Sequence, residues 1–449
     1  MAEEKDCLLT RTDSEKNGDQ QQIEEEEDDV CEADGNTDGL SVRMTCVNLF
    51  AAGLGTGLVT FPYALKLLGL AFGSIVFVLT VLFFGICAIL LSVSYLQVFS
   101  YSDQPRAPFM DMMDLSFGKV GRYMMIATLS GYLFMIAVGL ISLSAETISN
   151  MLLHIDNSKQ IDVPFWVLSL LVSVCVMVSL LYRSPKNFKW ISLIAGASST
   201  LLFFFILIGI VYFSEVATEN LNTSHSLQWF AAFDPINIFT GIGIIAYGFG
   251  VTIVIPTVQA DMSDPKLMPQ SIVISFSGLA IGYAIPCITG YCLFNPNTVL
   301  PSILSTFTMS DLYKVDTTFK VIVILSQVSL TIHLLSVMVL VINPLCQQVE
   351  EILHLPVEFT WHRVVARSCI ILLEFLTSII FPGFIDVLSI CGGLFVMLTS
   401  VIFPILIFVQ VYSKLQPIVK ALLYLAAVLS ALLSIGITVS EIIDIIQKY

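Results

Sequence analysis

The fold is decided by one apolar stretch near the N-terminus, Asn48-Leu-Phe-Ala-Ala-Gly53-Leu-Gly55-Thr56-Gly57-Leu-Val-Thr-Phe-Pro62-Tyr63. It is apolar enough for a membrane helix, but three glycines at alternate positions and a proline disfavour a continuous helix. Backbone groups left unpaired against lipid would cost several kcal/mol, so a break in such a helix has to face a cavity. The stretch therefore predicts an unwound segment whose backbone groups can bind a solute.

A second stretch repeats this pattern, Gly241-Ile-Gly243-Ile-Ile-Ala-Tyr247-Gly248-Phe249-Gly250-Val-Thr252, and Pro256 follows it. The two lie in the first and sixth of the apolar stretches, so the helices that contain them run in opposite directions. Two broken helices at matching positions are typical of an inverted five-plus-five repeat. Glycines that only let helices pack closely are the alternative.

The broken helices give the candidate substrate-binding residues. Helix ends at a break carry partial charges, and an N-terminal end favours a carboxylate. The predicted substrate-binding residues are Gly53, Gly55, Thr56, Gly57, Tyr247, Gly248, Phe249, Gly250 and Thr252.

Composition places most of the chain in a bilayer. Hydrophobic residues make up 56% and charged residues 12%, whereas a soluble domain has about 25% charged residues. We predict an all-α polytopic membrane protein with eleven helices, the ninth and tenth separated near Asp386–Gly393. Residues 41–449 form the transmembrane domain, which leaves little chain for an enzyme. The residues show no metal-ligand spacing, and the ten cysteines are scattered singly.

Charge predicts the orientation. Residues 1–40 contribute −12 of the net charge of −15 and contain few aliphatic residues, which predicts a disordered acidic cytosolic tail. With that tail in the cytosol, 15 of the 20 Lys and Arg residues fall on the cytosolic face. The sequon at Asn222 then lies in an outer or luminal loop, where it can be glycosylated.

Several stretches together resemble the amino acid/auxin permease family, which includes vacuolar amino-acid transporters and proton- and sodium-coupled neutral amino-acid carriers. They are Gly55-Thr56-Gly57-Leu-Val-Thr-Phe-Pro62-Tyr63-Ala64, Phe117-Gly118-Lys-Val-Gly121-Arg122, Asp261-Met262-Ser263-Asp264-Pro265, and Thr331-Ile332 through Ile342-Asn343-Pro344 to Glu350-Glu351. The resemblance covers residues 41–446. It implies a LeuT-like fold with one helix beyond the two repeats, and a substrate held between helices one, three, six, eight and ten.

The coupling ion is predicted from four residues. The resemblance places Asn48 where sodium-coupled relatives carry an asparagine linked to the ion, and a LeuT-like arrangement puts Thr331 and Ser336 opposite the first helix. His333 lies inside an apolar helix and could carry a proton near neutral pH. Hydroxyls bonded to their own helix, and a neutral histidine bonded to a neighbouring one, are the alternatives.

The predicted function is secondary active transport of neutral amino acids by a monomeric unit without a cofactor other than the coupling ion, for which a proton is favoured and sodium is the alternative. The alternative is an amino-acid sensor that recruits a signalling partner through its tail. Near the N-terminus, Glu4, Leu8 and Leu9 fit an acidic dileucine pattern read by sorting adaptors. This pattern favours an endolysosomal or vacuolar membrane over the plasma membrane.

Overall fold

Most of the described chain lies in apolar helices that are long enough to cross a bilayer. The computed structural model describes residues 39–99, 108–153, 163–181, 185–220, 228–294, 296–355 and 360–448. In these ranges eight helices have the length and composition of a membrane span, and a bent pair near the N-terminus gives a ninth if it is counted as one. The fold class of an all-helical polytopic membrane protein is therefore confirmed.

The helices are labelled in chain order. They are α1 (Val42–Gly53), α2 (Gly57–Leu68), α3 (Leu70–Val98), α4 (Pro108–Leu153), α5 (Phe165–Leu181), α6 (Pro185–Asn220), α7 (Pro235–Gly248), α8 (Ile255–Ala260), α9 (Met268–Leu293), α10 (Ile303–Met309), α11 (Asp311–Val315), α12 (Thr317–Ile352), α13 (Trp361–Ile380), α14 (Phe384–Ile390), α15 (Phe403–Val411) and α16 (Pro417–Lys448). Two π-helical segments, Cys391–Val396 and Leu398–Ile402, continue α14 into α15.

The predicted count of eleven spans is not confirmed. Each predicted stretch has a helical counterpart, but two of these helices do not qualify as spans by length and composition. The first, α5, is apolar but has only 17 residues. The second, α13, has 20 residues and carries Arg363, Arg367 and Glu374 among its buried side chains.

The predicted boundary near Asp386–Gly393 is wrong, because the chain leaves the helix earlier. The helix α13 ends at Ile380, and α14 begins at Phe384. Gly392 lies inside the following span, where a Cβ atom would be 1.9 Å from the carbonyl oxygen of Gly243. The glycine therefore lets two helices approach closely instead of breaking one, and Asp386 is a buried residue rather than a loop residue.

The two broken helices pack together at the centre of the fold. The angle between α1 and α2 is 56°, and α2 packs against α7 and α9. The helix α12 packs against both α4 and α6. This arrangement encloses the breaks with helices, as the cost of exposing unpaired backbone to lipid requires.

Residues 39 and 40 pair with the segment that follows α8. The amide of Leu40 donates to the carbonyl oxygen of Asp261 at 2.8 Å, and the amide of Ser263 donates to the carbonyl oxygen of Leu40 at 3.1 Å. The rest of the predicted tail lies outside the described residues. So do the dileucine residues Glu4, Leu8 and Leu9, and Asn222 of the predicted sequon.

A buried ionic cluster joins α12, α13 and α5. The Glu350 carboxylate accepts from Arg363 at 2.5 Å and from Arg367 at 2.6 Å, and the side chains of all three residues are at most 8% exposed. Arg367 also donates to the carbonyl oxygen of Leu180 at 2.7 Å. One carboxylate therefore pairs with two guanidinium groups in a place that water hardly reaches.

Candidate functional site

The first break lies where the glycine-rich stretch predicted it. The helix α1 ends at Gly53, and α2 begins at Gly57. The Tyr283 hydroxyl of α9 holds the segment between them, because it donates to the carbonyl oxygen of Gly53 and accepts from the amide of Gly55 at 3.2 Å. Among the described residues, the amides of Thr56 and Gly57 have no hydrogen-bond acceptor. They are free donors at the N-terminal end of α2.

The second break lies beside the first. The helix α7 ends at Gly248, a 3₁₀ segment covers Gly250–Val254, and α8 begins at Ile255. A Cβ atom on Gly248 would be 2.3 Å from the ring of Phe61 on α2. This glycine therefore allows the two broken helices to pack closely, so the close-packing alternative accounts for part of the glycine pattern.

A cavity of about 580 Å³ lies between the breaks. Pockets that hold small ligands have volumes of about 300–1,000 Å³. Its lining is formed by the described residues Asn48, Ala51, Ala52, Gly53, Leu54, Gly55, Thr56, Gly57, Tyr132, Leu133, Ile136, Leu140, Ser192, Ala195, Gly196, Tyr247, Gly248, Gly250, Val251, Ile253, Val254, Tyr283, His333, Val337, Leu340, Val341 and Pro344. None of these is Asp, Glu, Lys or Arg.

The cavity brings most of the predicted substrate-binding residues together. Those that line it are Gly53, Gly55, Thr56, Gly57, Tyr247, Gly248 and Gly250. The other two lie outside the lining. Phe249 is fully buried, with its ring edge-on to Tyr283 at 5.7 Å between centroids, and Thr252 is also fully buried.

Two of the four predicted ion-coupling residues line the cavity, and two do not. Asn48 and His333 line the cavity. The hydroxyl of Thr331 donates to the carbonyl oxygen of Gln327 at 2.9 Å, and that of Ser336 donates to Ile332 at 2.8 Å. Both hydroxyls are thus bonded to their own helix, which is the alternative that the sequence left open.

His333 has one ring nitrogen bonded and the other directed at the first break. Its Nδ1 lies 2.9 Å from the carbonyl oxygen of Ala195. Because a carbonyl can only accept, Nδ1 carries the hydrogen, which leaves Nε2 of the neutral ring as an acceptor. Nε2 is 3.6 Å from the position that a Cβ atom on Gly55 would occupy. A proton or a donor on a bound solute can therefore reach Nε2 from the cavity.

Sequence reasoning missed Tyr132 and Tyr283, which supply hydroxyl groups to the site. Each lies within a long apolar helix, where nothing in the sequence says which face meets the cavity. Tyr283 directly follows Gly282 and lies close to Gly278. A stripe of small residues next to a tyrosine is a signal that could have indicated a close approach to the broken helix.

The fold and the cavity define a class of protein, a polytopic membrane transporter with two broken helices around a central site. The chain belongs to the family described as transmembrane amino acid transporter protein, whose model matches residues 38–446. This confirms the family resemblance.

A solved structure shows the same fold. The crystal structure of MhsT in complex with L-phenylalanine is similar to this chain with a TM-score of 0.56 and 13% sequence identity, and the match covers 90% of this chain and 99% of that one. At this identity the likeness concerns the fold alone, and it confirms the LeuT-like architecture.

Proposed function

We propose that this protein transports a neutral amino acid by alternating access and couples this transport to protons. The proposal is carried by one observation, the cavity at the two helix breaks that has free amides on one side and the His333 ring on another. The family match supports an amino acid as the solute.

The free backbone groups fit the two charges of an amino acid. The amides of Thr56 and Gly57 begin α2, where the helix dipole favours a carboxylate. The carbonyl groups at the end of α7 carry the opposite partial charge and suit the ammonium group. A substrate bound in this way spans the gap between the first and second breaks.

The lining indicates the side chain of the substrate. Aliphatic and aromatic residues dominate it, and the described lining residues include no Asp, Glu, Lys or Arg. A charged substrate side chain would be buried there without a counter-ion, at a cost of several kcal/mol. The cavity therefore favours an amino acid with an uncharged side chain.

Proton coupling is supported by three of the candidate ion-coupling residues. Neither Thr331 nor Ser336 is among the described residues that line the cavity, and each hydroxyl donates to a carbonyl oxygen of its own helix. His333 presents a free Nε2 to the cavity, and histidine is the side chain that ordinarily titrates near neutral pH. We propose that Nε2 takes up the coupled proton when the site is open to one side.

A His333→Asn variant should lose the response of uptake to a pH gradient. The Asn amide nitrogen can replace Nδ1 as a donor to Ala195, whereas nothing replaces Nε2. In proteoliposomes we expect proton-driven uptake to fall by about ten-fold, which corresponds to about 1.4 kcal/mol. Exchange of labelled for unlabelled substrate without a gradient should persist.

The matched control is His362→Asn, since His362 is exposed and does not line the cavity. It should leave proton-driven uptake unchanged. Wild-type uptake that follows a sodium gradient and ignores a proton gradient would contradict the coupling proposal. So would unchanged proton dependence in the His333→Asn variant.

A further inference from the structure

Three carboxylates meet at the end of the bundle where α14 begins and α16 ends. Asp386 lies in the first turn of α14, and Glu441 and Asp444 lie near the end of α16. One oxygen atom from each residue lies within 4.8 Å of the other two. Like charges at this separation repel strongly unless a cation or a proton lies between them.

Glu441 is the member of this acidic cluster that most clearly indicates a ligand. Its side chain is fully buried, and neither carboxylate oxygen has a hydrogen-bond partner among the described residues. The neighbouring hydroxyls of Thr240 and Ser389 donate to backbone carbonyls instead, at 2.9 Å and 3.4 Å. A buried, unpartnered carboxylate is thus aimed into the cluster.

Lys448 already places a positive charge at the edge of the cluster. Its Nζ lies 2.9 Å from Asp386 Oδ1 and 2.5 Å from Asp444 Oδ2. One ammonium cannot neutralise three carboxylates, so among the described residues part of the negative charge of the cluster has no counter-charge. The Lys448 side chain is 47% exposed, so its ammonium group can move away from the cluster into solvent.

We propose that Asp386, Glu441 and Asp444 bind a divalent hard cation, and that this cation is Ca²⁺. Carboxylate oxygens are the ligands that such cations prefer, and Ca²⁺–O distances of 2.3–2.6 Å place opposite ligands about 5 Å apart. The three oxygen atoms lie within 4.8 Å of one another, which satisfies this limit, and Ca²⁺ accepts an irregular ligand geometry that Mg²⁺ does not. The ion replaces Lys448 and ties α14 to α16 beside Thr240 of α7.

The proposal makes two substitutions act in opposite directions. Lys448→Gln removes the competing ammonium, so a larger fraction of the protein is ready to bind, and Ca²⁺ should bind about ten-fold more tightly. Glu441→Gln removes a ligand charge and should abolish binding at the cluster. Asp311→Asn is the control, because it removes an exposed carboxylate elsewhere and should change nothing.

The experiment uses the purified full-length chain in detergent, first treated with a chelator and then titrated with CaCl₂ or MgCl₂ at constant ionic strength. Equilibrium dialysis with radiolabelled Ca²⁺ measures binding, and the midpoint of thermal unfolding measures stabilisation. The acidic run 24–29 is present in every variant, so the difference between variants isolates the cluster. We expect Ca²⁺ to bind to the wild type and raise its midpoint more than Mg²⁺ does.

Equal Ca²⁺ binding by the wild type and Glu441→Gln would overturn the proposal. So would the absence of binding in both the wild type and Lys448→Gln, because the carboxylates would then hold no Ca²⁺ even without the competing ammonium. If Glu441→Gln does not fold, Asp444→Asn takes its place, because the Asp444 side chain is less buried, at 18% exposed. Binding by Asp444→Asn equal to that of the wild type would overturn the proposal too.

Discussion

A Gly55→Leu variant is expected to insert and fold normally, yet to lose substrate uptake by about ten-fold or more, which is at least about 1.4 kcal/mol in binding. Among the described residues, the one atom within 4 Å of a Cβ on Gly55 is His333 Nε2, at 3.6 Å. The leucine side chain therefore extends into the cavity and occupies the space next to the free amides. Uptake of labelled amino acids by proteoliposomes, with size-exclusion chromatography as the test of folding, measures both effects.

The control for this variant is Gly85→Leu on α3. The nearest atom to a Cβ on Gly85 belongs to the ring of Phe276 at 3.7 Å, so the two positions are similarly open. Gly85 does not line the cavity, and its variant should transport like the wild type. Wild-type uptake by Gly55→Leu would show that the substrate does not bind at the first break.

The other glycines of the first break are less suitable for this test. A Cβ on Gly53 would be 2.5 Å from the Leu279 side chain, and one on Gly57 would be 2.9 Å from the Tyr283 ring. Larger residues at these positions would displace groups that position α9, so a loss of uptake could come from a disturbed fold. At Gly55 a loss of uptake would come from the blocked cavity and not from a disturbed fold, because the new side chain would point into the cavity.

The second large effect is expected for Glu350→Gln, which should destabilise the protein by about 3–5 kcal/mol. The substitution removes the one carboxylate charge that Arg363 and Arg367 share in the buried cluster that joins α12 to α13. The midpoint of thermal unfolding in detergent, with tryptophan fluorescence as the signal, should fall sharply.

The neighbouring residue provides the control for this second prediction. Glu351 is exposed, and Glu351→Gln removes the same charge without disturbing a buried pair. Its midpoint should remain close to that of the wild type, because exposed charges contribute about 0–1 kcal/mol. Equal midpoints for the two variants would refute a structural role for the ionic cluster.

The sequence predicted the two helix breaks because their cause is local. Glycines at alternate positions and a nearby proline weaken a helix wherever they occur in a bilayer. The same reasoning failed at Gly392, where the missing side chain serves a contact with the backbone of Gly243. A glycine that ends a helix and one that admits a neighbouring helix look alike in a sequence.

The parts of the site that depend on packing between distant segments could not be predicted. Tyr283 reaches the first break from a helix more than 200 residues away in sequence. Asp386 meets Glu441 and Asp444 only because α14 and α16 lie side by side. The sequence indicated that His333 was a candidate, but only the contact with Ala195 shows which ring nitrogen faces the cavity.

The central claim is that the cavity between the two breaks carries an amino acid across the membrane. The most direct test is the uptake of a panel of labelled amino acids by proteoliposomes that contain the wild-type chain, with a proton gradient and a sodium gradient imposed separately. We predict uptake of at least one neutral amino acid, driven by the proton gradient and competed by the unlabelled form. The absence of uptake of every amino acid under both gradients would contradict the claim.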